Sequence, residues 1–183
     1  MVSRQILAVV ALGLQGCSHT VAVERLETAL AARDSATAAL RDWCEWRGIA
    51  RPARITASAV RGSDAPPPPS LAEELALPAG EPTGYRHVRL FCGDAVLSEA
   101  HNWYVPARLT PEMNRLLTET DTPFGTVAAP LAYRRERLGA TRGQGPGCPA
   151  GKVLTHRARL VLPDGTPLAL LVECYTLANL SAA

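Results

Sequence analysis

Two charged residues stand where the strand patterns of the sequence predict burial. In the strand expected at residues 85–92, the alternation of side chains puts Arg86 on the apolar face. Glu173 interrupts the apolar run 168–172, which is typical of a strand buried on both faces. An isolated buried ion costs several kcal/mol, so each charge needs a partner. The partner is either the other charge, in an ion pair inside the core, or a ligand.

If the partner is a ligand, the two residue types indicate its chemistry. The planar donor pair of Arg86 suits a carboxylate, and the carboxylate of Glu173 suits a hydroxyl group. Both side chains would then face one apolar cavity that holds a small hydroxylated acid. The sequence pattern leaves the ion pair and the ligand site open as alternatives.

The N-terminus has the pattern of a bacterial lipoprotein signal. Arg4 precedes an apolar run at residues 6–14, and Gly16 precedes Cys17, the expected lipidation site. We therefore expect a signal at residues 1–17, export to the periplasmic side, a lipid anchor in the membrane and one domain at residues 18–183. The alternative is a cytoplasmic protein whose first residues form an ordinary helix.

Four further cysteines give a weak indication of the same compartment. An oxidising compartment could pair Cys44, Cys92, Cys148 and Cys174 in any of three connectivities. Four free thiols in a cytoplasmic protein are equally compatible with the sequence. The cysteines form no C-x-x-C motif and have no histidine at ligand spacing, so we expect no metal.

Composition excludes several functional classes. The chain has 183 residues, 47% of them hydrophobic, which suits one domain of ordinary size. A net charge of +2 gives no broad basic surface for nucleic acid. No stretch reaches the ~20 apolar residues of a membrane-spanning helix. We expect a monomer.

The elements that must position Arg86 and Glu173 are helices followed by antiparallel strands. Residues 23–47 lack proline and glycine, which predicts two helices or one broken helix. Turn residues between apolar runs predict two hairpins, and Thr110 before Pro111 predicts a helix over residues 111–118. The strands are expected at residues 55–61, 85–92, 95–105, 152–162 and 168–176.

This order predicts an α+β fold. It has a central antiparallel sheet, N-terminal helices and a short helix between the strand pairs. The proline run at residues 66–69 predicts an extended surface loop. Five glycines at residues 139–151 predict a mobile loop or flap.

Five short motifs, in order, resemble the chorismate pyruvate-lyase family. The likeness runs over about residues 26–180. The motifs are Asp34-Ser-Ala-Thr37, Tyr85-Arg86-His-Val, Trp103-Tyr-Val-Pro106, Asp121-Thr-Pro-Phe-Gly125 and Leu170-Leu-Val-Glu173-Cys-Tyr.

The resemblance implies a chorismate lyase-like fold and a cofactor-independent carbon–oxygen lyase. Such an enzyme converts chorismate to 4-hydroxybenzoate and pyruvate, as in ubiquinone biosynthesis. Arg86 would bind the ring carboxylate and Glu173 the ring hydroxyl, as the catalytic pair, and the backbone amides of Ala36 and Phe124 would contact the substrate. Flaps at residues 139–151 or 66–84 would cover the site.

The second carboxylate of chorismate needs another cation. The family often has an arginine after the second strand, where this chain has Ala100-His101-Asn102. The sequence does not rank the remaining candidates, which are Arg134, Arg135, Arg137 and His101.

A non-catalytic function is the alternative. The same fold serves as a sensing module in bacterial regulators, and we expect no DNA-binding segment ahead of it here. The rival prediction is therefore an exported lipoprotein that binds a small aromatic hydroxy-acid without turnover.

Overall fold

The computed structural model describes residues 19–62 and 64–181. The predicted signal and Cys17 lie outside this part of the chain. The helices are α1 (19–31), α2 (Ala36–Arg47), α3 (Leu71–Glu74), α4 (Pro111–Glu119) and α5 (Phe124–Ala128). The strands are β1 (Ile55–Ala59), β2 (Gly84–Cys92), β3 (Ala95–Tyr104), β4 (Arg134–Arg142), β5 (Lys152–Val161) and β6 (Pro167–Thr176). Within the described residues, none of the helices has the length and apolarity needed to cross a bilayer.

Capping residues fix the ends of the two longer central helices. The Ser35 hydroxyl accepts a hydrogen bond from the Ala38 amide at 3.3 Å, and Gly48, with φ of 67°, ends α2. The Thr110 hydroxyl accepts from the Met113 amide at 3.2 Å at the start of α4. The sequence predicted both helices because such caps depend on local residue types.

The sheet has six antiparallel strands in the order β1-β2-β3-β6-β5-β4. Both predicted hairpins, β2–β3 and β5–β6, are confirmed. The central pair β3–β6 joins the first three strands of the chain to the last three. The α+β fold class is therefore confirmed.

The helices α1, α2, α4 and α5 cover one face of the sheet in two groups. In the α1–α2 group, Leu26, Leu40 and Trp43 of the helices form one apolar cluster with Leu90 and Tyr175 of the sheet. In the α4–α5 group, Met113, Leu117 and Phe124 of the helices form a second cluster with Tyr104 and Leu171 of the sheet. Glu173 lies on this face, between the two groups.

The opposite face is covered by α3 and by residues 143–151. Leu71 and Leu75 pack against Trp103, and a disulfide joins Cys148 to Cys174 of β6. The two stretches predicted as flaps over the site therefore cover the face that Glu173 does not use.

The sequence did not predict two of the elements, the short helix α5 and the edge strand β4. Part of the predicted glycine-rich loop, up to Arg142, belongs to β4. The rest is fixed in place, because the Thr155 hydroxyl accepts from the Gly145 amide at 2.9 Å and donates to the Gly143 carbonyl at 3.0 Å.

Candidate ligand-binding site

A cavity of about 40 Å³ lies between the two groups of helices, against the central strands. Glu173 and Asn102 form part of its floor, and Arg135 reaches it from β4. Ala36, at the start of α2, and Phe124, at the start of α5, form part of its walls. Three of the four predicted contact residues, Ala36, Phe124 and Glu173, therefore surround one cavity. We call it the inner cavity.

Glu173 is held by a bidentate ion pair with Arg135. Nη1 of Arg135 donates to Oε1 of Glu173 at 3.2 Å, and Nη2 donates to Oε2. The Tyr175 hydroxyl also donates to Oε2, at 2.8 Å. Both charged side chains are almost completely buried. A buried ion pair is therefore present, but its cation is Arg135 and not Arg86.

The ion pair determines the ionisation of the groups around it. Burial would raise the pKa of Glu173, but the charge of Arg135 and the hydrogen bonds from Arg135 and Tyr175 hold it below its usual value. Burial raises the pKa of Tyr175, and the Glu173 charge raises it further. Burial lowers the pKa of the neighbouring His156, against the opposing attraction of Glu173. Glu173 is therefore a carboxylate at neutral pH, and Tyr175 is a neutral donor.

Asn102 supplies polar groups that the fold does not use. Its side chain lines the inner cavity and is buried, and it has no hydrogen bond to any residue in the described part of the chain. Asn102 is not among the described residues with fully enclosed, unpaired side-chain N or O atoms, so its amide is open to the cavity. A polar residue at this position of a buried strand could have drawn attention to Asn102 from the sequence alone.

The N-termini of α2 and α5 approach each other above the inner cavity. An added Cβ at Gly125 would lie 2.9 Å from the Ser35 hydroxyl and 3.0 Å from the Tyr133 hydroxyl, so a larger residue would have to displace these side chains. The Asp34 carboxylate accepts from the Arg135 amide at 2.9 Å, which fixes the start of β4 beside α2.

A larger cleft of about 550 Å³ opens outside these helix ends. It shares Asp34, Thr37, Gly125 and Tyr133 with the inner cavity, so the two spaces have a common wall. Arg41 and Arg54 add positive charge to the cleft.

Arg86 does not belong to the inner cavity. It lies on the predicted apolar face and is buried, but its guanidinium donates to the carbonyls of Thr122 at 2.9 Å and Thr120 at 3.0 Å. Arg86 and Glu173 are also two strands and two residues apart in the sheet register, roughly 12 Å at ordinary strand spacing. Glu173 therefore lines the inner cavity and Arg86 does not, and a ligand-binding role for the two residues together stays a prediction.

Of the four candidates for a second cation, Arg135 alone reaches the inner cavity. His101 stacks on His87 on the opposite face. Arg134 pairs with Glu136 at 2.5 Å, and Arg137 donates to a carbonyl of α1 at 2.7 Å. Sequence could not rank these residues, because the twist and edge position of β4 decide which arginine turns inward.

A relative from Sinorhizobium fredii establishes the family. The protein, named "Uncharacterized protein y4mC", is 40% identical over 173 residues, which cover 84% of this chain and 73% of the relative. The chain belongs to the y4mC family. No protein-family model matches it.

Solved structures with the same fold include domains of transcriptional regulators. The effector domain of PhnF from Mycobacterium smegmatis has a TM-score of 0.55 and 15% identity, over 79% of this chain and 89% of that domain. A GntR-family regulator from Enterococcus faecalis has a TM-score of 0.51 and 14% identity, over 70% and 98%. The possible transcriptional regulator YydK from Bacillus subtilis has a TM-score of 0.48 and 16% identity, over 70% of this chain and only 61% of YydK. The likenesses to PhnF and to the Enterococcus faecalis regulator confirm the chorismate lyase-like fold.

The expected function is corrected. The structures described above that share this fold come from transcriptional regulators, and none of their names is that of a lyase. The chorismate pyruvate-lyase, its role in ubiquinone biosynthesis and the alternative of a lipoprotein that binds an aromatic hydroxy-acid are therefore wrong. The contacts expected from the amides of Ala36 and Phe124 stay predictions.

Proposed function

We propose that this domain binds a small polar molecule in the inner cavity and acts as a sensor. The observation that carries the proposal is the Arg135–Glu173 pair, buried beside the unpartnered amide of Asn102 in a space that borders the outer cleft.

The ion pair is poorly explained as a device for stability. Buried ion pairs are often no more stabilising than apolar residues of similar volume, because desolvation offsets their attraction. The buried Tyr175 hydroxyl adds a further hydrogen bond to the same carboxylate. A cluster of this kind is well suited to recognising a ligand, since its geometry is set before the ligand arrives.

The size of the inner cavity requires a conformational change on binding. A volume of about 40 Å³ accommodates a few water molecules and no organic molecule of ordinary size. The part of the wall easiest to displace is α5, which has only five residues and follows Pro123. Displacement of α5 would join the inner cavity to the outer cleft, and this movement would signal occupancy to an attached partner.

The names of the structural neighbours support the same class of function. The matched part of PhnF is called an effector domain, and the Enterococcus faecalis protein is called a transcriptional regulator. A ligand-sensing role for this chain is consistent with both names.

Two asparagine variants test this proposal. Asn102→Leu removes the unpartnered amide, so we expect little change in stability but the loss of ligand binding. Asn179→Leu, at an equally buried position, removes hydrogen bonds to the Leu97 and Thr176 carbonyls at 2.7 and 3.0 Å, so unfolding should become easier by about 2 kcal/mol.

The measurement is a ligand-observed NMR screen of polar metabolites with wild type and both variants. Hits must bind wild type and folded Asn179→Leu but not Asn102→Leu. Hits that bind Asn102→Leu as tightly as wild type would show that the inner cavity is not the site.

We further propose that the domain matures in an oxidising compartment. Disulfides join Cys44 to Cys92 and Cys148 to Cys174, and such bonds persist mainly outside the reducing cytoplasm. The pairing supports export and carries no information about a lipid anchor.

Alkylation of thiols in living cells, before lysis, tests this location. We expect mass spectrometry to find the four cysteines protected by their disulfides. Alkylated Cys44 and Cys148 in most molecules would contradict the proposal and favour the cytoplasm.

A further inference from the structure

Three side-chain hydroxyls meet at the wall between the inner cavity and the outer cleft. Ser35 and Thr37 bring two of them from the start of α2, and Tyr133 brings the third from the residue before β4. An added Cβ at Gly125 would lie 2.9, 3.7 and 3.0 Å from these three oxygens, so they surround one residue of α5. The wall is therefore a contact of α5 with two neighbouring elements.

The Tyr133 hydroxyl joins α5 to the start of α2. It donates to the Gly125 carbonyl at 3.4 Å and has a hydrogen bond with the Ser35 side chain. Burial raises the pKa of Tyr133, against the opposing effect of the bond with Ser35, so the phenol is neutral and keeps its proton to donate. Its ring belongs to the apolar cluster of α4 and α5, which holds the hydroxyl at the wall.

The helix α5 has little other polar attachment. The Thr126 and Val127 amides donate to the Pro123 carbonyl at 3.0 and 3.1 Å, within the turn itself. In residues 19–62 and 64–181, the bond from Tyr133 to Gly125 is the only hydrogen bond between a side chain and α5. A helix of five residues is not stable without packing. When α5 leaves the wall, its own hydrogen bonds therefore break as well.

We propose that Tyr133 is a positioning residue, whose hydroxyl holds α5 over the inner cavity, and that α5 opens locally while the sheet stays folded. The inference rests on the proposed function, because an open wall joins the inner cavity to the outer cleft. Local opening costs less free energy than global unfolding. It breaks the bond to Tyr133 and exposes Phe124 and Val127, whereas both disulfides and all strand pairs remain.

Hydrogen exchange of the wild-type protein tests the opening of α5 without any ligand. The intact, isotope-labelled chain is transferred into D₂O, and NMR follows the Val127 amide and the amides of the central strands β3 and β6. After correction for intrinsic rates, we expect Val127 to exchange at least about a hundredfold faster than the strand amides. Equal rates would show that α5 opens only when the whole domain unfolds, and would overturn the proposal.

Two tyrosine variants then test the role of the hydroxyl. Tyr133→Phe removes the bond to α5 and should speed exchange of Val127 about three- to tenfold. Tyr85→Phe is the matched control, because the Tyr85 hydroxyl accepts from the Ala65 amide at 3.0 Å and lies 2.8 Å from Nδ1 of His101 on the opposite face of the sheet. This control should speed exchange of the strand amides but leave that of Val127 unchanged.

Two results with the variants would contradict the role of Tyr133. They are an unchanged exchange rate of Val127 in Tyr133→Phe, and an equal increase of that rate in Tyr85→Phe. The wild-type exchange rates decide whether α5 opens locally even if Tyr133→Phe fails to fold. Failure of the sensor function is a separate outcome, since the ligand screen with Asn102→Leu can fail while the exchange rates are as expected.

Discussion

The burial of the Arg135–Glu173 pair predicts how much stability the protein loses when one of the two charges is removed. The two side chains are 5% and 6% exposed, so water screens their charges little. Glu173→Gln keeps the volume and an acceptor for Tyr175, but leaves Arg135 buried without a counter-ion. We expect the free energy of unfolding to fall by about 3–5 kcal/mol.

A second variant distinguishes the loss of the ion pair from the penalty of leaving Arg135 without a counter-ion. Arg135→Met, Glu173→Leu and Tyr175→Phe, made together, remove the polar groups and leave no orphan. Because apolar residues of similar volume replace buried ion pairs without loss in other proteins, we expect stability within about 1 kcal/mol of wild type, or above it. The same triple variant should no longer bind the ligands of the inner cavity.

Urea unfolding at neutral pH, followed by circular dichroism and tryptophan fluorescence, measures both effects. If Glu173→Gln costs less than about 1 kcal/mol, the pair behaves like an exposed one and the described burial is wrong. If the triple variant is as unstable as Glu173→Gln, the penalty does not come from an unpaired charge. Either result refutes the reasoning.

Two further predictions concern pH and the close approach of α2 and α5. The folded-state pKa of Glu173 lies below its usual 4.5, so its stabilising contribution is present above that pH and is lost as pH falls through the folded pKa. Wild type should therefore lose stability faster than the triple variant between about pH 5 and pH 2, and parallel curves would contradict this. Gly125→Ala should lower stability by about 1–3 kcal/mol and weaken ligand binding, because its Cβ would lie 2.9 Å from the Ser35 hydroxyl. Gly139→Ala, whose Cβ meets nothing within 4 Å, is the matched control, and equal effects in thermal unfolding would disprove the explanation.

Burial of the two key charges could be predicted from sequence, but their partners could not. Alternation along β2 placed Arg86 on the buried face, and the apolar run around Glu173 indicated a covered strand. The partner of Glu173 comes from β4, which lies two strands away in the sheet and 38 residues earlier in the chain. Local periodicity carries no information about such a contact.

The missed elements lack the signals that predict their class. Most of β4 is exposed at the sheet edge, so its residues show no apolar alternation, and Gly139 makes the stretch resemble a loop. The helix α5 is too short for a helical period and contains Gly125. Both elements form walls of the inner cavity, so its geometry was less predictable than the sheet.

The two disulfides leave the middle of the sheet without a covalent tie. Cys44–Cys92 closes a loop within the N-terminal half of the chain, and Cys148–Cys174 closes one within the C-terminal half. Only non-covalent contacts hold β3 to β6, and the inner cavity lies over this junction. A ligand bound there would contact both halves at once and act as a reversible third cross-link. The resistance of the β3–β6 junction to pulling forces or proteases would then depend on the concentration of the ligand. The two disulfides would hold each half together at any ligand concentration.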